Sequence, residues 1–374
     1  MEGDFFGGSV PYDRYVWHFA VNVGADGAGG LEHLSSTEIS MANGVGPGTV
    51  GVYAHEFFHL WNVKRIRSLP LGPFDYTTMP QTGALWWLEG VTDYYAHTLL
   101  GRYGWFGNNE RQANPIDKMY ATLVTNVTGV RAVQDRFNIS PYDSSFRVRD
   151  AANGQGNSNG YLVSYYNTGW LCGLCLDIEI LSQSNGKHSL DDVERALFNE
   201  CKNNQPGFQE DQIRKLCVKY GGSALGDAYD TFIMKPGELP VEVQLAKIGY
   251  DLKDIDEPYG KVPFILGPSP DDRAMKVLSS DIPGLKIGDL VTRVNAVDLN
   301  SDQVNALRRS YAGLTRNAKS GDKWTLAVVT ATEHKMMSIE IVSGTRKSKK
   351  VVSQPNPTPE QLKLRQLFES KKRS

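Results

Sequence analysis

Five consecutive residues, His55-Glu56-Phe57-Phe58-His59, hold the densest chemistry in this 374-residue chain. Imidazoles four positions apart share one face of a helix, so both can reach a single ion. Glu56, one position past His55, is offset from that face. It can reach a water at the ion rather than the ion itself. The pattern suits metal-assisted hydrolysis: two neutral nitrogen donors, a general base and room for a third ligand. Val50, Val52, Tyr53, Phe57 and Leu60 supply apolar flanks. The breaker run Asn43-Gly44-Val45-Gly46-Pro47-Gly48 precedes them, so a helix is expected to start soon after it and run to about Arg65.

The third ligand is narrowed by exclusion. An H-E-x-x-H-x-x-G-x-x-H extension would need glycine where Asn62 stands and histidine where Arg65 stands. Asp75 is available but lies in a Pro/Gly loop, Pro73-Phe74-Asp75. Glu89 fits best. It lies in the apolar run Leu85-Trp86-Trp87-Leu88-Glu89-Gly90-Val91, within a helix expected from about Gly83 to Arg102. An unpaired carboxylate there would be costly, and a metal removes that cost. The alternative is a buried ion pair. Asp93 follows Glu89 by four and can orient a ligand histidine through its second ring nitrogen. The expectation is one zinc ion held by His55, His59 and Glu89. Glu56 would take a proton from the attacking water and return it to the leaving amine. A further donor to the oxyanion is needed, and such donors contribute roughly a hundred- to thousandfold in rate.

The elements that must position these residues follow from the flanking pattern. Asp13 to Gly24 reads as a strand around Tyr15–Val21. The glycine-rich stretch from Gly24 leads into a single strand at Leu31–Thr37. Helices are expected over 166–181, 189–199 and 209–220, after a Gly/Asn-rich loop at Asn153–Gly160. Beyond about residue 240 short β-type runs dominate, at 263–266, 290–294, 324–329 and 338–342, with one helix at 302–314. After Ser343 the chain is basic and proline-dotted and reads as a mobile tail ending in a short helix, Pro359 to Lys371.

Bulk properties set the outer bounds. The length suggests two domains. A net charge of −2 does not point to nucleic acid, and no run of about 18 apolar residues marks a membrane span. The first residues lack a secretory signal, which leaves periplasm and cytoplasm both open. Cys172 and Cys175 form a C-x-x-C inside an apolar helix and read as core cysteines.

The run His55-Glu56-Phe57-Phe58-His59-Leu60-Trp61-Asn62-Val63-Lys64-Arg65-Ile66-Arg67 resembles the signature of the glycyl aminopeptidase family, metallopeptidase family 61. Phe6-Gly7-Gly8 to Tyr15, Gly29-Gly30-Leu31-Glu32-His33 and Ser164-Tyr165-Tyr166-Asn167-Thr168-Gly169 look similar as well. The resemblance implies an α+β architecture: a thermolysin-like (gluzincin), mainly helical catalytic domain followed by a small PDZ-like β domain. It also implies an N-terminal β domain before Phe6-Gly7-Gly8, where this chain begins. Gly-Gly-Leu-Glu-His is similar to the G-x-M-E-N strand of the wider zinc aminopeptidase superfamily. That likeness gives Glu32 the substrate's α-amino group, the alternative being a surface glutamate. His33 stands in place of Asn. Tyr166-Asn167-Thr168-Gly169 resembles a Y-x-K-G element and makes Tyr166 the oxyanion donor, with Tyr165 as runner-up and Thr168 in place of Lys.

Gly284-Leu285-Lys286-Ile287-Gly288-Asp289 to Asn295 resembles a PDZ core. PDZ domains take peptide ends by adding a strand to a sheet edge. Phe264-Ile265-Leu266-Gly267 is the nearest candidate for the carboxylate loop, and a purely structural role stays open. The expected division is a catalytic domain at 1–240, a PDZ-like domain at 241–345 and a basic tail at 346–374. The expected activity is zinc-dependent removal of N-terminal residues from peptides, with Gly or Ala suggested by the family name. An endopeptidase on the same site and a non-catalytic peptide-binding scaffold are the alternatives.

Overall fold

The computed structural model describes residues 1–8, 10–21, 28–41, 49–73, 75, 77, 80–105, 115–146, 163–202 and 206–370. The expected breaker run at 43–48 and the loop at 153–160 lie outside these residues.

Two apolar cores organise the chain. The first begins with a small sheet in which β3 (Ser36–Met41) is central. It pairs in parallel with β1 (Val16–Val21) and antiparallel with β2 (Ala28–Glu32). The single strand expected at 31–37 is therefore a hairpin, since His33, Leu34 and Ser35 turn the chain. His33 N donates to Ser36 O at 2.8 Å and closes that turn.

Helix α1 (Val50–Phe58) follows and packs against β2 and β3. It stops seven residues short of the expected end at Arg65. Side chains and backbone of the next turns explain the stop. The Arg65 guanidinium donates to Leu60 O at 2.6 Å, a carbonyl a longer helix would have used internally, and to Pro11 O at 2.8 Å, which ties the turn to the N-terminal segment. The second expected helix is present but begins as a π-helical segment, Trp86–Val91, that runs into α2 (Thr92–Tyr103). Beside them lie α3 (Pro115–Arg131), the almost wholly buried α4 (Tyr165–Gln183) and α5 (Leu190–Cys201). Cys172 and Cys175 are buried in α4 with free thiols, as core residues.

The second core is built by an antiparallel sheet in the order β10-β9-β7-β6-β5, with β8 beside β7. These strands are β5 (Phe264–Ser269), β6 (Ala274–Ser280), β7 (Leu290–Val294), β8 (Val297–Asp298), β9 (Lys323–Val329) and β10 (His334–Glu340). Helix α6 (Val304–Asn317) packs on β5. Leu266, Val277, Val291, Leu307 and Leu326 fill the space between.

The stretch read as a mobile basic tail is ordered, as one strand of a long antiparallel ladder, several of whose facing side chains carry opposite charges. β11 (Val342–Ser353) pairs residue for residue with the acidic β4 (Tyr250–Lys261). Across that ribbon Lys347 meets Asp256 at 2.7 Å and Lys349 meets Asp254 at 2.8 Å, the two partners being directly opposite in register. Helix α7 (Pro359–Glu369) then returns to the first core and buries Leu364 and Phe368 there. The buried Arg102 of α2 donates to Phe368 O at 3.2 Å. The ribbon thus leads out to the second core and back. Val241, Leu245 and Ile248, beyond the expected boundary at 240, belong to the first core.

Candidate metal centre and active site

Helix α1 presents His55 and His59 one turn apart, with their Nε2 atoms 3.0 Å from each other. Glu89 Oε2 lies 3.3 Å from His55 Nε2 and 3.2 Å from His59 Nε2. Donors about 2.0–2.1 Å from one zinc at tetrahedral angles stand about 3.3–3.4 Å apart. The three atoms match that triangle within a few tenths of an ångström, so the residues fit the ion.

Each imidazole is held from behind. His59 Nδ1 faces Asn62 O at 2.6 Å, and His55 Nδ1 faces Asp93 Oδ1 at 3.4 Å. A ring whose Nδ1–H donates backward offers its Nε2 lone pair forward. Two such lone pairs 3.0 Å apart, beside a carboxylate, call for a cation between them.

The surrounding carboxylates favour positive charge at this position, which a proton supplies when no ion is bound. Burial alone would lower the pKa of His55, but hydrogen bonds to Asp93 and Glu89 override it and push it up to about 10. Burial would also raise Glu89, yet the two histidines hold it well below the usual carboxylate range. Glu56 behaves oppositely: it is 6% exposed, burial raises its pKa, and Oε2 has no hydrogen-bond partner. A buried carboxylate oxygen without a partner is expensive to keep.

Glycine sets the close approaches. At Gly30 of β2 any β-carbon would collide with the Glu56 carboxyl group. The strand can therefore lie directly on the general-base candidate only with glycine there. Where α4 crosses the π-helical segment, a β-carbon on Gly90 would stand 2.5 Å from Gly169 Cα. This glycine–glycine crossing brings the N-terminus of α4 against Glu89. There the Tyr166 ring lies 6.0 Å from that of His55 and 4.8 Å from that of Tyr165. Burial and the Glu89 charge raise the Tyr166 pKa, so the hydroxyl keeps its proton.

Glu32, at the end of β2, stands within the same cluster. Ligand atoms of Glu32, Glu56 and His59 lie within 4.8 Å of one another. Glu32 Oε1 is 2.9 Å from Lys64 Nζ. Asp75 lies elsewhere and accepts from the Thr77 N–H and hydroxyl.

Several contributors went unread in the sequence. The Asn62 carboxamide donates to Trp87 O at 3.3 Å and Thr92 Oγ1 at 3.0 Å, fastening α1 to the Glu89 segment. Lys64 pairs with Glu32, and Gly30 makes room for Glu56. The signal available was the run past His59, whose polar residues lie among apolar ones.

Residues 48–172 match the family of M61 glycyl aminopeptidases. The resemblance first drawn from the His55–Arg67 run therefore holds. The matched segment carries His55, Glu56, His59, Glu89, Asp93 and Tyr166 and leaves out Glu32. It supports a peptidase, and a family of metallopeptidases implies a metal. Among solved structures the chain is similar to the crystal structure of an aminopeptidase N family protein from Idiomarina loihiensis. The TM-score is 0.63 at 20% identity, over 97% of this chain and 63% of that one. The likeness shows a shared mixed helix-and-strand fold, and this chain spans about 63% of the length of that relative. Comparison with curated proteins returns no match.

Proposed function

We propose that the chain is a zinc-dependent aminopeptidase, with zinc held by His55, His59 and Glu89. The observation that carries this reading is the convergence of three donor atoms, 3.0–3.3 Å apart, beside a buried carboxylate oxygen with no partner. A zinc ion bound there supplies Lewis-acid polarisation of the scissile carbonyl and a water of lowered pKa. Glu56 would accept a proton from the attacking water and deliver it to the leaving amine. Burial raises its pKa and so strengthens it as a base. Tyr166 donates its hydroxyl to the oxyanion as the carbonyl becomes tetrahedral. Asp93 and Asn62 O hold the two ring orientations. Glu32 receives the substrate's α-ammonium, so cleavage falls after the first residue. In fold terms we read the first core as a thermolysin-like catalytic domain.

We read residues 262–341, carried on the β4–β11 ribbon, as a PDZ-like module with a structural role. The outer edge of β5 is the strand that would receive a peptide. Its Leu266 N–H donates to Tyr311 Oη at 3.3 Å, and that hydroxyl donates to Phe264 O at 3.1 Å. Pro268, two positions on, has no N–H to offer. The edge is capped from within by α6.

A panel of aminoacyl chromogenic substrates, run with and without a zinc chelator, tests the proposal. Hydrolysis of free-amino substrates, lost with chelator and regained with zinc, is the expected result. Chelator-insensitive hydrolysis would contradict the zinc reading. Equal hydrolysis of N-acylated peptides would point to an endopeptidase.

A further inference from the structure

The Glu32–Lys64 pair is the least expected feature of the site. A carboxylate meant for an incoming ammonium already holds one, at 2.9 Å. The Lys64 side chain is only 8% exposed, although Lys64 also borders an open cavity of about 1080 Å³ shared with Tyr12, Arg14 and His33. Lysine ammonium groups are strongly hydrated and normally snorkel to water. Here the ammonium is nearly buried against Glu32.

The backbone explains how it gets there. Lys64 N donates to His59 O at 3.0 Å, within the turn whose Asn62 O faces His59 Nδ1 at 2.6 Å. One turn thus orients a metal-ligand candidate and delivers Lys64 to Glu32. The charge pattern explains why it is needed. Glu32 and Glu56 share a cluster with ligand atoms within 4.8 Å, and two carboxylates so close repel. Lys64 offsets that repulsion and fixes one Glu32 oxygen. A carboxylate has about four lone-pair sites, so Oε2 stays available to a second ammonium in a fixed direction.

We propose that Lys64 is a positioning residue for amino-terminus recognition: by clamping Glu32 Oε1 it presents Oε2 to the α-ammonium of a peptide. This rests on the reading of Glu32 given above and extends it to a residue that touches no substrate. It predicts that selectivity for free over blocked amino termini depends on Lys64 as much as on Glu32.

The test is calorimetric titration of the metal-free chain with alaninamide and with N-acetylalaninamide. Catalysis plays no part in that readout. The native chain is expected to bind the free amine at least about tenfold more tightly than the acetylated form. Glu32→Gln should abolish that preference. Lys64→Met should reduce it to within about twofold, and Lys64→Arg should restore part of it. Circular dichroism of each variant checks that the fold is intact. If Glu32→Gln removes the preference while folded Lys64→Met keeps it, the Lys64 proposal is overturned and the Glu32 reading survives. If the native chain shows no preference, or Glu32→Gln leaves it unchanged, both fall. Should Lys64→Met fail to fold, Lys64→Gln, which removes the charge at similar length, decides: a weakened preference supports the proposal, and an unchanged one in the folded variant overturns it.

Discussion

The two cores treat their polar groups in opposite ways. Around His55, His59 and Glu89 donor atoms converge on one point, and Glu56 Oε2 beside them is buried with no partner. At the β5 edge of the second core, Tyr311 takes up both Leu266 N–H and Phe264 O. Burying polar atoms that lack partners lowers stability, and a fold keeps such a cluster where a ligand will repay it. Capping a strand edge does the reverse and removes a docking surface. The contrast is what the proposed reading, chemistry in the first core and support in the second, rests on.

The sharpest way to break this contrast is Glu56→Gln. Hydrolysis should fall by at least about a thousandfold while metal content is unchanged, as expected when a general base is lost and the ligands stay. Steady-state kinetics beside elemental analysis checks this. Tyr166→Phe should lower kcat by roughly a hundred- to thousandfold with little change in KM, the mark of an interaction made in the transition state. A drop confined to KM would assign the tyrosine to substrate packing instead.

The remaining predictions concern stability. Glu194 of α5 is fully buried, and burial pushes its pKa up to about 8, with the Trp87 indole acting the other way. An acid whose folded pKa is raised stabilises the fold while protonated. Between pH 4.5 and about 8 the folded chain binds the proton and the unfolded chain releases it. Stability therefore falls as pH rises, by up to about 1.4 kcal/mol per unit. Glu194→Gln should flatten that slope in denaturant titrations. Tyr311→Phe should have the smallest effect, about 1 kcal/mol, with faster amide exchange at Leu266 and unchanged hydrolysis. New binding of C-terminal peptides by that variant would show that the cap was all that closed the edge.

How legible each part was depended on the range of its physics. The His55/His59 spacing was readable because helix periodicity is local. Glu89 and Asp93 were readable because a carboxylate in an apolar helix asks for a partner. The end of α1 was not, because the turns after it are held by contacts of Arg65 and Asn62 with Pro11, Trp87 and Thr92, far away in sequence. The β2–β3 hairpin was hidden by its first strand, which is glycine-rich, although Ser36–Met41 alternates between buried and exposed positions. The β4–β11 ribbon hid more deeply. Its strands begin about ninety residues apart and bury little apolar surface, and the basic composition of one is explained only by the acidic composition of the other. The glycine crossing at Gly90 and Gly169 gave no signal until the two helices lay together.

The central claim is that His55, His59 and Glu89 hold one zinc ion. Elemental analysis of the purified chain and of Glu89→Ala, both dialysed against buffer with trace zinc, tests it most directly. The account predicts one zinc per native chain and far less in the variant. A native chain without zinc, or a variant that keeps the full complement, would contradict it.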